Sequence, residues 1–199
     1  MAIVITQQPA FLPLLPIDDS IIVTDSYQSY LERANSLDLS LLKSKDIESA
    51  KKLLRETLAV GYSTTFLNQF IYNKDSFCFC VRDTIRNAVI GVIGGKISRS
   101  VMDSTVCTGH LMILAVSTTW RRFGLGQQLL NKLEGAFCDG SVTASFNRRT
   151  QLRSIYLQTE IANTNAIRFY ENNGFSYEKL ERGYYGSGKD GVVMRKHVC

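Results

Sequence analysis

The apolar positions of this chain recur with two periods, and each change of period marks a boundary between elements. Leu37-Asp38-Leu39-Ser40-Leu41 alternates, which predicts a first strand. Ile47, Ala50, Leu54 and Leu58 fall on one stripe, with Asp46 and Glu48 near its start, so a helix is expected over 45–58. After Gly61 a second short helix is expected over 63–72. Residues 76–82 and 88–98 read as strands joined by a turn at 83–87. Residues 105–116 form a third long strand ending in the apolar run Leu111-Met112-Ile113-Leu114-Ala115-Val116. A polar turn, Ser117-Thr118-Thr119, leads to a helix with Leu125, Leu129, Leu130, Leu133 and Phe137 on one face. Residues 139–152 are polar and aperiodic, which predicts a loop exposing Arg148 and Arg149. A buried strand over 155–159 follows. Asn163 then caps a helix over 164–173, and Asn173-Gly174 supplies a left-handed stop. Residues 175–181 and 192–197 read as a closing pair of strands. With no internal repeat, the class is mixed α/β.

Two domains of unequal kind are expected. Residues 1–35 hold all three prolines (Pro9, Pro13 and Pro16) yet stay rich in apolar side chains, among them Ile3, Val4, Ile5, Ile21, Ile22 and Val23. That composition predicts an extended arm that packs on the domain or on a partner, rather than a disordered tail. Residues 36–199 form the folded domain. The five cysteines show no metal-ligand spacing, so no metal site is expected and the thiols are read as reduced, which suits a cytoplasmic or nuclear compartment. No apolar run reaches transmembrane length, and the N-terminus lacks the charged start of a signal peptide. The net charge of +5 suits anionic partners without selecting one.

The chemistry centres on the segment between the third strand and the helix that follows. Arg121-Arg122-Phe123-Gly124-Leu125-Gly126 sits where that helix begins. A helix start offers unpaired N–H groups and partial positive charge, and glycine lets a ligand approach the backbone. The combination suits phosphate. It is not a P-loop, since no Gly-Lys-Ser/Thr follows, and Leu129 stands where a dinucleotide fingerprint needs its third glycine.

Arg121-x-x-Gly124-x-Gly126, followed by Asn163-x-x-Ala166-x-x-Phe169-Tyr170-x-x-x-Gly174-Phe175, resembles the two signature motifs of the GNAT acetyltransferases. The order of elements from Leu37 to Val198 is similar as well. The resemblance implies a GNAT fold, a central mixed but mostly antiparallel twisted sheet with about four helices on its two faces. It implies acetyl-coenzyme A as cofactor, with the pyrophosphate on backbone N–H groups of Arg121, Arg122, Phe123, Gly124, Leu125, Gly126 and Gln127. Leu114, Ala115 and Val116 would pair with the pantetheine amides, and Asn163, Ala166 and Tyr170 would touch the cofactor arm. Tyr170 is implied to protonate the departing thiolate.

Within the family the chain looks most like the NatE-type N-terminal acetyltransferases. Leu58-Ala59-Val60-Gly61-Tyr62 resembles their Phe-Pro-Val-x-Tyr substrate loop, and His110-Leu111-Met112-Ile113-Leu114 their Tyr-Ile-Met-Thr-Leu strand. Ile155-Tyr156-Leu157-Gln158 resembles their Ile-Tyr-Leu-His, and Tyr184-Tyr185 the tyrosines that close over the substrate's first residue. Val60, Tyr62, Met112, Tyr184 and Tyr185 are therefore implied substrate contacts. The chain departs from the pattern at Ala59, where the family has proline. His110 stands at the catalytic tyrosine position and Gln158 at the catalytic histidine position. The N-terminal arm and the 139–152 loop are extra, and NatF-type relatives carry an inserted loop at a similar place.

The implied reaction is acetyl transfer to the free α-amine of protein N-termini, Met-initiated, by direct attack in a ternary complex. An amine with a pKa of about 8 needs only a base or a water wire to lose its proton. His110 is the candidate base, because imidazole titrates near neutrality. Tyr156 and Gln158 share a face, and Gln158 can hold a water. A backbone N–H near Leu114 is the candidate oxyanion donor. Two other readings stay open: a lysine or small-amine acetyltransferase, and a weakly active coenzyme-A-binding subunit. The implied partners are peptide N-termini, an auxiliary subunit of the NatA kind and the ribosome, with no DNA.

Overall fold

The computed structural model describes residues 35–58, 61–100, 103, 105–139, 151–186 and 188–198. The arm at 1–34, most of the 139–152 loop with Arg148 and Arg149, and the substrate-loop residues 59 and 60 lie outside them. The elements run β1 (Leu37–Leu41), α1 (Ile47–Thr57), α2 (Thr64–Tyr72), β2 (Ser76–Asp83), β3 (Ala88–Arg99), β4 (Val106–Val116), α3 (Leu125–Cys138), β5 (Gln151–Glu160), α4 (Thr164–Glu171), β6 (Ser176–Glu181) and β7 (Gly191–His197). The strands form one sheet in the order β1-β2-β3-β4-β5-β7-β6. All neighbours are antiparallel except β4 and β5, which are parallel. The expected mixed α/β architecture is what forms, with four α-helices among the described residues.

The helices cover both faces. On one, Ala50, Leu53 and Leu54 of α1 and Leu67 and Phe70 of α2 pack on Cys78, Cys80, Val92, Ile113 and Ala115. On the other, the predicted stripe of α3, Leu125 to Phe137, packs on Phe79, Val81, Ile93, Leu111, Ile155 and Leu157, together with Tyr170 of α4. Two expectations need correcting at element ends. The first helix opens with a 3-10 turn over Ser44–Asp46, and Asp46 serves Arg82 rather than only the helix start. Gln151 and Leu152 belong to β5, paired with Val106 and Cys107. Ladder hydrogen bonds join backbones, so a polar side chain does not bar a residue from a strand.

Arg82 ties the first elements together. Its guanidinium donates to Asp46 at 2.7 and 2.6 Å, to Asp38 at 2.7 Å, to the Leu41 carbonyl at 3.0 Å and to Ser40. The hydrogen bond from Arg82 holds the Asp46 carboxyl below its ordinary pKa, against the opposing pull of burial.

Two irregularities position the site. Gly94 pairs with Ile113 and Gly95 with Leu111, so Met112 is an extra residue, a bulge in β4. The bulge reverses the strand's faces: Leu111 packs with α3, while Ile113 and Ala115 pack with α1 and α2. Gly95 permits this close approach, since a Cβ there would lie 2.6 Å from the His110 carbonyl oxygen. Second, the last rung shared by β4 and β5 is Leu111↔Leu157. Beyond it β4 runs on to Val116 and β5 to Glu160 without a common ladder, leaving a gap in mid-sheet.

Candidate active site

The loop leaving β4 makes a 3-10 turn over Thr118–Trp120, then passes Arg122 (φ 66°) and Gly124 (φ 75°), both in the left-handed region. Gly124 is the N-cap of α3, and glycine is the residue that takes this conformation without a Cβ penalty. No side chain caps α3. By contrast Ser63 caps α2, accepting from Phe66 N at 3.0 Å, and Asn163 caps α4, accepting from Ala166 N at 3.1 Å. Gln128 N reaches Gly124 O at 3.1 Å, and the amides of Leu125, Gly126 and Gln127 before it are left open, with no partner among the described residues, at the positive end of the helix.

Leu125 and Gly126 border a cavity of about 810 Å³ that is also lined by Leu114, Ala115, Val116, Arg121, Arg122, Gly124, Asn163 and Ala166, together with Thr57, Leu58 and Phe169. Phe123 and Gln127 are placed off it. Phe123 packs edge-on to Trp120, 5.9 Å between ring centres, and the Gln127 side-chain Nε2 donates to Asn131 Oδ1 at 2.8 Å. Arg121 Nε donates to the Val116 carbonyl at 3.3 Å.

Through the β4–β5 gap this cavity adjoins a second, of about 410 Å³, and the two share Thr57, Leu58, Leu114 and Asn163. Tyr62, Met112, Gln158, Tyr170 and Tyr185 line the second, as does Glu160, which the sequence reading missed. Tyr170 is 7% exposed, and burial pushes its phenol pKa well up. Burial likewise raises Tyr62, Tyr184 and Tyr185. These phenols are therefore neutral near pH 7 and can give a proton or a hydrogen bond. Tyr184 does not line the cavity; its ring meets that of Tyr185 at 4.9 Å.

His110 and Tyr156 are not among the residues lining either cavity, and Gln158 links His110 to the second. The cross-strand row is Lys96, His110, Tyr156, Arg195. The imidazole stacks on Tyr156, 4.4 Å between centres and 7° between planes. The Arg195 guanidinium lies 5.3 Å from the Tyr156 ring centre, fixed by Glu178 at 2.9 Å and Ser154 at 2.8 Å. His110 Nε2 and Gln158 Oε1 are 2.8 Å apart. With the amide oxygen there, Nε2 carries the proton and donates, so the basic nitrogen is Nδ1. Burial lowers the His110 pKa, and the charge of Lys96 adds to this against the opposing bond to Gln158. The ring is thus neutral at pH 7.

The site is therefore an uncapped helix start joined through a split sheet to a tyrosine-lined chamber. Residues 47–175 match the model of the acetyltransferase (GNAT) family. The chain belongs to this family. Membership makes it an N-acetyltransferase that depends on acetyl-coenzyme A. An uncharacterized N-acetyltransferase of Methanocaldococcus jannaschii is 30% identical over 153 residues, 77% of this chain and 86% of that one. Human N-alpha-acetyltransferase 30 is 28% identical over 144 residues, 72% of this chain but 36% of the human protein. The fold matches that of Arabidopsis thaliana NAA60, solved with a bisubstrate analogue, at a TM-score of 0.68 and 19% identity over 81% of this chain and 97% of that one. No helix among the described residues of this GNAT protein is long and apolar enough to cross a membrane.

Proposed function

We propose that the chain transfers the acetyl group of acetyl-coenzyme A to the α-amine of protein N-termini. The reading rests chiefly on the open amides at the start of α3, where Leu125 and Gly126 border the trough that leads through the β4–β5 gap to the tyrosine chamber. Backbone amides at Leu125, Gly126 and Gln127, with Arg121 and Arg122, hold the pyrophosphate. The freed edge of β4 at Leu114 to Val116 receives the pantetheine, and the thioester reaches the chamber. The amine attacks the carbonyl carbon directly, and an N–H near Leu114 steadies the oxyanion. His110 takes the amine's proton at Nδ1 through water, while Gln158 orients the ring. Tyr170 protonates the thiolate as it leaves. Tyr62, Met112 and Tyr185 hold the acceptor's first residue, and an apolar lining that includes Met112 and Leu58 suits methionine, as in NatE-type enzymes. The relatives named N-alpha-acetyltransferase favour an α-amine over a side-chain amine.

The test is turnover of matched peptides with a free or blocked N-terminus. The proposal expects acetylation of the free Met-initiated peptide and none of its blocked form. Preferential acetylation of an internal lysine in the blocked peptide would overturn it.

A further inference from the structure

The acceptor chamber contains one carboxylate that the mechanism above does not use. Glu160 is the last residue of β5, two residues beyond Gln158 and on the same face of the strand. It lines the chamber, and none of the described residues lining it is a lysine, arginine or histidine. Glu160 has no ion pair or side-chain hydrogen bond to a described residue.

Its surroundings explain why the charge stays unmatched. The facing residue on β7 is Gly191, which has no side chain to offer. Tyr184 fills that space instead, its Cβ 3.0 Å from where a Gly191 Cβ would stand. One strand further, Glu181 already pairs with Lys179 at 2.8 Å. On the other flank β4 has parted from β5, so Glu160 borders the gap. The backbone is held firmly: Ile161 N donates to Asp190 O at 3.0 Å, and Asn163 N donates to Glu160 O at 2.9 Å. A carboxylate fixed on a strand end, walled by aromatic rings and lacking a partner among the described residues, is complementary to a cation.

The acceptor arrives as that cation, because an α-ammonium has a pKa of about 8. We propose that Glu160 anchors the acceptor's ammonium group, drawing the protonated amine into the chamber and holding it beside Gln158 until its proton is removed. The proposal rests on the amine-acetylating reading above. The contact is strongest before the proton leaves, so Glu160 acts on KM more than on kcat.

The test is steady-state kinetics of the full chain and of Glu160→Gln and Glu160→Asp with acetyl-coenzyme A, at low and high salt. Three acceptors are compared: a peptide with a free N-terminus, an N-terminally blocked peptide carrying lysine, and 1,4-diaminobutane. For whichever amine is turned over, Glu160→Gln raises KM about tenfold or more. Its kcat stays within about threefold, KM for acetyl-coenzyme A is unchanged, and Glu160→Asp recovers part of the loss. Wild-type KM rises with salt and that of Glu160→Gln does not. An unchanged KM in Glu160→Gln, or a fall in kcat alone, overturns the anchor. If Glu160→Gln fails to fold, a salt-independent wild-type KM overturns it equally. Turnover of only the lysine peptide or the diamine removes the α-amine reading while leaving the Glu160 effect in place. No turnover of any amine removes both.

Discussion

Tyr170→Phe removes one oxygen from the site and separates catalysis from stability. The ring packs edge-on to Phe169 and Phe175, with centres 5.3 and 5.6 Å away, and phenylalanine keeps both contacts. The hydroxyl has no hydrogen bond to a described residue, so its loss orphans no described partner. A change of about 0.5 kcal/mol or less follows, which moves Tm by about 1–2 °C in a domain of this size. The effect on turnover is far larger. Burial keeps the Tyr170 phenol protonated across any working pH, so it can always donate to the leaving sulfur. Loss of a general acid costs about 10²- to 10⁴-fold. A thiol with a pKa of about 8.5 is a fair leaving group unaided, which places the expectation at the lower end, about 100-fold, or about 2.7 kcal/mol of barrier. Release of the coenzyme A thiol, followed with a chromogenic disulfide, gives kcat. Calorimetry gives the acetyl-coenzyme A Kd, and circular dichroism the Tm. The expected result is kcat down about 100-fold with Kd and Tm held. A kcat within threefold of wild type at the same Tm refutes Tyr170 as the acid.

Two further outcomes follow from the charges. Burial holds the His110 pKa below its ordinary 6.5, so with histidine as base kcat/KM falls as pH drops through that lowered value. His110→Gln should abolish this acid limb and lower kcat about 100-fold, whereas superimposable pH profiles would exclude His110. The Asp46 carboxyl, held low by Arg82, stabilises the wild type above its unfolded pKa, and that contribution is lost as pH falls through the depressed folded value. Arg82→Met should cost about 3–5 kcal/mol at pH 7, because it leaves Asp46 buried without its cation. The folded Asp46 pKa then rises, so the stability gap between wild type and variant in thermal melts should narrow from pH 7 to 5, the lowered His110 pKa acting on both alike.

The parts of the fold set by local periodicity were legible in the sequence. The α3 stripe from Leu125 to Phe137 and the alternation of β1 repeat at fixed intervals, and each was expected at its observed place. The helix start at Gly124 was also readable, because left-handed backbone and open amides both select glycine. What escaped depends on partners distant in sequence. The run from Leu111 to Val116 is apolar throughout, so nothing in it marks the bulge at Met112 or the reversal of faces around it. The parallel register of His110 with Tyr156 places Gln158 against the imidazole, and no local pattern encodes that register. Asp46 looked like an ordinary acidic residue at a helix start, although its cation lies thirty-six positions away. Glu160 was missed because an acid at a strand end is unremarkable until the neighbouring strand is known to part from it.

The central claim is that open amides at the start of α3 hold the cofactor's pyrophosphate. Backbone amide shifts of the labelled chain during titration with acetyl-coenzyme A test it most directly. The account predicts saturable one-to-one binding with the largest shifts at Leu125, Gly126 and Gln127. Saturation with those three amides unmoved, or no binding at all, would contradict it.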